Sequence, residues 1–158
     1  MRLVETARFN GRLVRYATLS HCWGFDRDTP ITTTSDTYST YTEAIPWDEL
    51  SQTFRDALTI CHAINLHYLW IDSLCILQGD SDDWIREAAL MADVFGASEI
   101  TIAGVNPRSP EMGLYLDSMA VPLIAKSEDS SAISMVRWPA AQSNELTSSY
   151  LFQRGWVF

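Results

Sequence analysis

Two apolar runs of this sequence each end in a group of side chains that can take part in chemistry. The first run covers residues 16–19 and the second covers residues 69–71. The side chains that follow them include hydroxyls, an imidazole, an indole, a carboxylate and a thiol: Ser20, His21, Trp23, Asp72, Ser73 and Cys75. Ligands of open α/β sheets bind at the carboxyl ends of the strands. We therefore expect these side chains to form one binding site at a shared edge of a sheet.

A hydroxyl or thiol beside an imidazole and a carboxylate is the raw material of nucleophilic catalysis. The sequence nevertheless lacks a Gly-x-Ser-x-Gly elbow, and neither Cys22 nor Cys75 stands in a protease signature. A serine or cysteine hydrolase is therefore an alternative, not the leading interpretation. In the competing interpretation, each cysteine is a small hydrophobic residue in the core. Cys61, which lies on the apolar face of a predicted helix, fits this interpretation best.

The spacing of the metal-binding residue types does not favour a metal site. Cys61 and His62 are adjacent, as are His21 and Cys22, so neither pair has the gap of about two to four residues that zinc ligands usually have. No Gly-x-Gly or Walker pattern occurs either. We predict no metal and no resident cofactor, and any nucleotide would be held by strand-end loops and helix N-termini.

Glu87 is the carboxylate that we single out as a catalytic candidate. It falls in the first turns of a predicted helix, at the margin of the apolar stripe that Trp84 begins. Cleavage at a ribosyl anomeric carbon passes through an oxocarbenium-like state, which a carboxylate can stabilise. Trp23 or Trp84 could stack on a planar ring beside it. The alternative is a solvated helix residue that pairs with Arg86.

Short apolar strands alternate with amphipathic helices along the first two thirds of the chain. We predict strands at about residues 15–20, 67–72 and 99–103, and helices at about 53–65 and 82–95. This order predicts an α/β fold with a parallel sheet covered by helices. Because residues 67–71 are continuously apolar, we place them in a central strand, with Trp70 in the core between helices.

Local signals set the predicted helix boundaries. Thr53 and Asp56 have the spacing of a capping box, which would start the first helix at Thr53. The second helix has Asp82 and Asp83 at its start, an apolar stripe from Trp84 to Phe95, and Gly96 at its end. Residues 26–43 are rich in threonine and show no apolar period, so we predict a long surface loop.

Length and charge limit the class of protein. The 158 residues fit one domain, residues 1–158, of the usual size. Twenty acidic against eleven basic residues give a net charge of −9, which disfavours nucleic acid and anionic membranes as partners. We see no membrane-spanning run and no leader, and three unevenly spaced cysteines suggest reduced thiols. We expect a cytoplasmic protein.

Several segments, which follow one another in the same order along the chain, resemble the fungal heterokaryon incompatibility (HET) domain. They are YATLSHCWG (residues 16–24), TFRDA (53–57), LWIDSLCILQ (69–78), ITIA (100–103) and RGW (154–156), with Trp84 and Met91 between them. In the family a Gln-Glu pair normally follows the last tryptophan, so the chain is expected to be a trimmed domain. The resemblance implies an effector of programmed cell death, triggered when genetically unlike fungal cells fuse.

The order of the elements also resembles the opening half of TIR domains, many of which hydrolyse NAD. That resemblance implies a flavodoxin-like core, with irregular insertions, and NAD as a substrate. Residues 83–87 are similar to the Trp-to-Glu spacing of the TIR catalytic helix, which points to Glu87. Element order instead places that helix at Trp156, with its glutamate beyond Phe158. The rival interpretation is a non-enzymatic module of innate immunity that kills by self-association or through a receptor or death-domain partner.

Overall fold

The computed structural model describes residues 1–23, 31–104 and 113–114. Three strands lie in this part of the chain: β1 (Ala17–Ser20), β2 (Leu69–Ile71) and β3 (Ile100–Ala103). The α-helices are α1 (Tyr38–Glu43), α2 (Gln52–Ala63), α3 (Asp72–Cys75) and α4 (Ser81–Gly96), and short 3-10 turns cover Thr6–Phe9 and Trp47–Glu49. The three predicted strands and both predicted helices are confirmed within two residues at every boundary.

The three strands form a parallel sheet in the order β2-β1-β3, which confirms the predicted α/β class. Leu19 pairs with Ile71 on one side and with Ile102 on the other. This is the order of the first three strands in flavodoxin-like sheets, whose switch point lies between β1 and β3. The central position predicted for residues 67–71 is wrong among the described strands, since β1 occupies it and β2 lies at the edge.

One face of the sheet and α2 form the hydrophobic core. Leu19, Ile71 and Ile102 point to this face at one level of the sheet, and all three are buried. Phe54, Ala57 and Cys61 recur at helical spacing on α2 and are also buried in the cluster. The prediction that Cys61 is a buried core residue is therefore confirmed.

The other face of the sheet carries alternate residues and packs on α4. Thr18 pairs with Trp70 and Thr101, and its hydroxyl lies 2.9 Å from that of Thr101. The Trp70 ring meets Phe95 of α4 edge-to-face at a centroid distance of 5.6 Å. Trp70 is half-buried against one helix, not enclosed between helices as predicted, because β2 is an edge strand of the described sheet.

Two predicted features of the helices differ in the structure. The start of α2 is capped by Ser51, whose hydroxyl accepts a hydrogen bond from the Phe54 amide, so the predicted capping box is wrong. In α4, Asp82, Asp83 and Gly96 lie where predicted, but Trp84 is 56 % exposed, whereas the other predicted stripe residues Ala88, Met91 and Phe95 are half-buried.

The predicted loop at 26–43 is partly helical. Residues 38–43 form α1, and Tyr41 is buried in the core. A tyrosine that fills the core supplies apolar burial that the polar composition of the segment conceals. Residue 24, residues 26–30 and the segment at 154–156 lie outside the described residues. Among the helices that the structure describes, none has the length and apolarity needed to span a membrane.

Candidate functional site

The carboxyl ends of the three parallel strands place the predicted site residues along one edge of the sheet. Ser20 pairs with Ala103, and Asp72 directly follows Ile71, which is level with Leu19. The Gly104 amide donates a hydrogen bond to the Ser20 carbonyl at 2.7 Å and closes this edge between β1 and β3. The expectation that Ser20 and Asp72 share one edge is confirmed.

Asp72 is the centre of the polar contacts at this edge. Its Oδ2 accepts a hydrogen bond from Trp23 Nε1 at 3.0 Å, and its Oδ1 accepts one from the Ser73 amide at 2.7 Å. The Asp72 side chain is 24 % exposed, so the carboxylate remains accessible to a small molecule. Two donors on an ionised carboxylate make strong, charge-assisted bonds that fix its orientation.

His21 lies beside this carboxylate and is buried. Its Nδ1 is 3.9 Å from Asp72 Oδ1, which is a distance for an ion pair of the protonated ring but too long for a hydrogen bond. The imidazole meets the Phe54 ring edge-to-face at a centroid distance of 5.0 Å. We name His21, Trp23, Asp72 and Ser73 the strand-end cluster.

Thr33 holds the turn that presents Asp72 and Ser73. Its amide donates to the Ser73 carbonyl at 3.0 Å, and its hydroxyl donates to the Leu74 carbonyl at 2.7 Å. Its own carbonyl accepts from the Gln78 amide at 2.7 Å. This role of Thr33 could not be predicted from the sequence, because threonine-rich composition suggests a loop without indicating which residue is buried.

The Ser73 hydroxyl is fully buried and makes no hydrogen bond within the described part of the chain. A buried hydroxyl without a partner costs free energy, and such atoms are uncommon in folded proteins. Ser73 is held in place through its backbone, since its amide bonds to Asp72 and its carbonyl to Thr33. Its position therefore depends on the turn and not on its own side chain.

Cys75 lies within the electrostatic reach of two carboxylates, those of Asp72 and Glu87. Desolvation raises the pKa of the Cys75 thiol to about 11, and the carboxylates of Asp72 and Glu87 also raise it. Cys75 has an exposed surface, and the two neighbouring negative charges disfavour a thiolate there. Cys75 is thus a protonated thiol at neutral pH and a weak nucleophile.

Glu87 is on the second turn of α4 with its side chain 27 % exposed, as its position at the margin of the apolar stripe predicts. Its Oε1 lies 3.5 Å from Arg86 Nε, which is the pairing that the alternative interpretation expects. Arg86 also contacts Asp83, so its charge is shared between two carboxylates. Glu87 is therefore partly shielded and only partly neutralised.

The site residues differ in how closely the structure joins them. Contacts connect His21, Trp23 and Ser73 through Asp72, whereas Cys75 is linked by charge to Asp72 and also to Glu87. Trp84 projects into solvent, and no side-chain hydrogen bond connects it to the strand-end cluster in the described residues. The described ranges also contain no group of three or more His, Cys, Asp or Glu side chains arranged to hold a metal ion.

This arrangement can bind a planar or polar ligand beside an oriented carboxylate. Asp72 has oxygens that can accept from hydroxyl groups of a ligand, Trp23 offers an aromatic ring, and Glu87 offers a second negative charge within reach of Cys75. Asp56 makes a further long-range contact, in which its Oδ2 accepts a hydrogen bond from the Leu114 amide at 2.8 Å. The sequence could not indicate that contact, because it joins residues 58 positions apart.

Comparison with known proteins gives one match. A family model described as heterokaryon incompatibility protein (HET) matches residues 16–158, which include the strand-end cluster, α2, α4 and β3. No curated protein matches the chain. No solved structure matches it either. The match begins at the residue before β1 and so covers the whole described sheet.

Proposed function

Because the chain belongs to the heterokaryon incompatibility (HET) family, we propose that it is a cell-death effector whose strand-end cluster binds and cleaves NAD. The family accounts for the cell-death role. NAD cleavage is the finer step of the proposal, and one observation carries it: the carboxylate of Asp72 is oriented by the indole of Trp23, and Asp72 and Glu87 both act on the Cys75 thiol.

The reaction breaks the bond between the nicotinamide nitrogen and C1′ of the adjoining ribose. Nicotinamide leaves with the bonding electron pair, and water attacks C1′ and releases a proton to solvent. The products are nicotinamide and ADP-ribose. In this proposal Glu87 stabilises the positive charge that develops on the ribosyl ring, since its carboxylate is partly shielded from water. Asp72 accepts from ribose hydroxyls, while Trp23 or Trp84 stacks on a planar ring.

The remaining cluster residues position these groups. His21, protonated or neutral, lies at the shielded side of Asp72 and limits the access of water to Oδ1. Ser20 and Ser73 supply backbone contacts that hold the edge of the sheet together. Cys75 keeps its proton at neutral pH, which disfavours a thiolate mechanism.

The decisive experiment assays free nicotinamide after the purified 158-residue chain is incubated with NAD. Glu87→Gln preserves size and hydrogen bonding but removes the charge, so we expect cleavage to fall by about 100-fold or more with unchanged melting behaviour. Glu99→Gln is the matched control, because Glu99 pairs with Arg15 at the opposite end of the sheet. Unaltered cleavage in Glu87→Gln would assign the role to another acid. A wild-type chain that releases no nicotinamide would reject NAD cleavage by residues 1–158.

A second candidate is a non-enzymatic module that kills by self-association or through a death-domain partner. The observation in its favour is that Trp84 and Ile85 of α4 are 56 % and 62 % exposed, although both are large and apolar. Apolar side chains exposed side by side are typical of interaction surfaces. Sedimentation of wild type against Ile85→Glu at several concentrations tests this candidate. An Ile85→Glu chain that kills cells as wild type does would argue against it.

A further inference from the structure

Asp56 is a buried carboxylate that the proposed chemistry does not use. It lies on α2 and is only 6 % exposed. Its Oδ1 accepts a hydrogen bond from Gln52 Nε2 at 2.6 Å, and its Oδ2 accepts one from the Leu114 amide at 2.8 Å. The first contact lies within one helix turn, whereas the second ties α2 to a distant part of the chain. Burial of a carboxylate is costly unless such donors compensate it.

Gly113 makes the second contact possible. Its φ of +74° is in the left-handed region that favours glycine. A Cβ added there would lie 2.5 Å from Asp56 Oδ2 and 2.9 Å from Gln52 Cγ. Backbone conformation and space therefore both require glycine at this position. The Leu114 amide approaches Asp56 only because the preceding residue has no side chain.

The same contact places the Leu114 side chain beside the strand-end cluster. A Cβ added at Gly104 would lie 3.3 Å from Leu114 Cδ2 and 3.4 Å from His21 Cβ. Gly104 follows β3, and His21 follows β1, so these residues meet at the switch point of the sheet. His21 also packs on Phe54, which is two residues before Asp56 on α2.

We infer from this geometry that Asp56 is a positioning residue for His21. The carboxylate holds Leu114 against Gly104, and α2 holds Phe54 against the imidazole, so one helix fixes His21 from two directions. The position of His21 in turn sets its separation from Asp72 Oδ1. Any effect of Asp56 on NAD cleavage rests on the proposed function. The position of His21 is independent of that function, so the test measures the imidazole of His21 directly.

The experiment records the imidazole NMR signals of the full chain at one fixed pH. The chain has three histidines, and the exposed His62 and His67 serve as internal references, each assigned by substitution with glutamine. In Asp56→Ala we expect the His21 signals to shift while the two references stay in place. Gly113→Ala should shift His21 in the same way, since its Cβ would displace Asp56 Oδ2. Asp56→Asn keeps an oxygen acceptor for the Leu114 amide, so its shift should be smaller.

Gln52→Ala is the matched control, because it removes the other partner of Asp56 and leaves the Leu114 contact intact. We expect it to leave His21 at its wild-type position. If Asp56→Ala fails to fold, Gly113→Ala provides the same measurement without loss of the carboxylate. Wild-type His21 signals in whichever of these two variants folds would overturn the inference. An equal His21 shift in Gln52→Ala would also overturn it, since the helix and not the Leu114 contact would then be responsible.

Discussion

The indole N–H of Trp23 donates a hydrogen bond to Asp72 Oδ2 across 3.0 Å and joins the chain after β1 to the residue after β2. Asp72 is 49 residues further along the chain, so this bond exists only because the two strands are parallel neighbours. It gives the carboxylate one orientation before any ligand arrives. Preorganised groups of this kind are the basis of electrostatic catalysis.

Replacement of Trp23 with phenylalanine keeps an aromatic ring but removes the donor to Asp72. We expect Trp23→Phe to lower the free energy of unfolding by about 1 kcal/mol, since the partly exposed carboxylate can recover a hydrogen bond from water. Urea denaturation measures the change, and NAD cleavage should fall with it. Trp47→Phe is the control, because Trp47 is 51 % exposed and therefore contributes less to the free energy of unfolding. Equal stability of both variants would show that the Trp23 bond adds nothing.

Trp70 tests the packing of α4 on the sheet. Its ring contacts Phe95 edge-to-face, so Trp70→Ala removes both apolar burial and an aromatic pair. We expect the free energy of unfolding to fall by roughly 3 kcal/mol. This is at the lower end of the range for truncation of tryptophan to alanine, because Trp70 is half-buried. Soluble expression and thermal unfolding would detect it. Trp84→Ala should change stability by less than about 0.5 kcal/mol, as for other exposed positions. A Trp70→Ala protein of wild-type stability that no longer kills would make Trp70 a functional residue.

Asp80 tests how α4, and with it Glu87, is anchored. Its Oδ1 accepts hydrogen bonds from the amides of Asp82 and Asp83 at 3.0 and 2.9 Å, as an N-cap residue does. Asp80→Ala should cost about 1 kcal/mol in urea denaturation, which is typical of a lost N-cap. Asp82→Ala removes a charge from the same turn without removing the cap, and its effect should be smaller. A larger loss of stability in Asp82→Ala than in Asp80→Ala would show that the charge, and not the cap, stabilises the start of α4.

The raised pKa of Cys75 predicts how its reactivity depends on pH. An ordinary thiol has a pKa near 8.5, so at pH 8 the thiolate fraction of Cys75 should be roughly 100-fold smaller. Alkylation by iodoacetamide, followed by mass spectrometry of the Cys75 peptide, should accelerate up to about pH 11. In Glu87→Gln the acceleration should begin at lower pH, because one of the opposing charges is gone. A rate that levels off near pH 8.5 would contradict the shift.

The same shift also bears on stability, and its sign follows from proton binding. The folded chain binds the Cys75 proton more tightly than the unfolded chain, since the folded pKa is the higher of the two. Its contribution to stability is therefore complete below about pH 9 and decreases as the pH rises toward 11. The buried Cys61 thiol has a pKa raised by desolvation and acts in the same direction. Unfolding midpoints that rise with pH in this window would contradict both.

Much of the fold could be predicted from local patterns because those patterns are the direct cause of the elements. The helical spacing of Phe54, Ala57 and Cys61 follows from the need to bury one face of α2, and the structure confirms it. The apolar residues that end at Asp72 likewise show where β2 stops. Residues that follow parallel strands must share one edge, so Ser20 and Asp72 could be placed together without coordinates.

The predictions that proved wrong concern features that no local sequence pattern encodes. Thr53 and Asp56 have capping-box spacing, yet Ser51 caps α2 and Asp56 bonds to Leu114 instead. The continuous apolarity of β2 suggested a central strand, whereas strand order depends on how the crossovers turn and not on composition. Tyr41 is buried although its segment is polar, because a tyrosine needs only a gap in the core to fill.

Local patterns in the chain were sufficient to predict the α/β class, the strand and helix positions, the family resemblance and the set of residues at the sheet edge. Long-range packing sets which of those residues touch: Trp23 and Ser73 donate hydrogen bonds to Asp72, His21 lies beside it, and Trp84 is exposed to solvent. The two kinds of feature differ in the distance along the chain over which their causes act. Periodicity and turn chemistry act over a few residues, while contacts such as those of Asp72 and Asp56 join residues that only strand pairing and helix packing bring together.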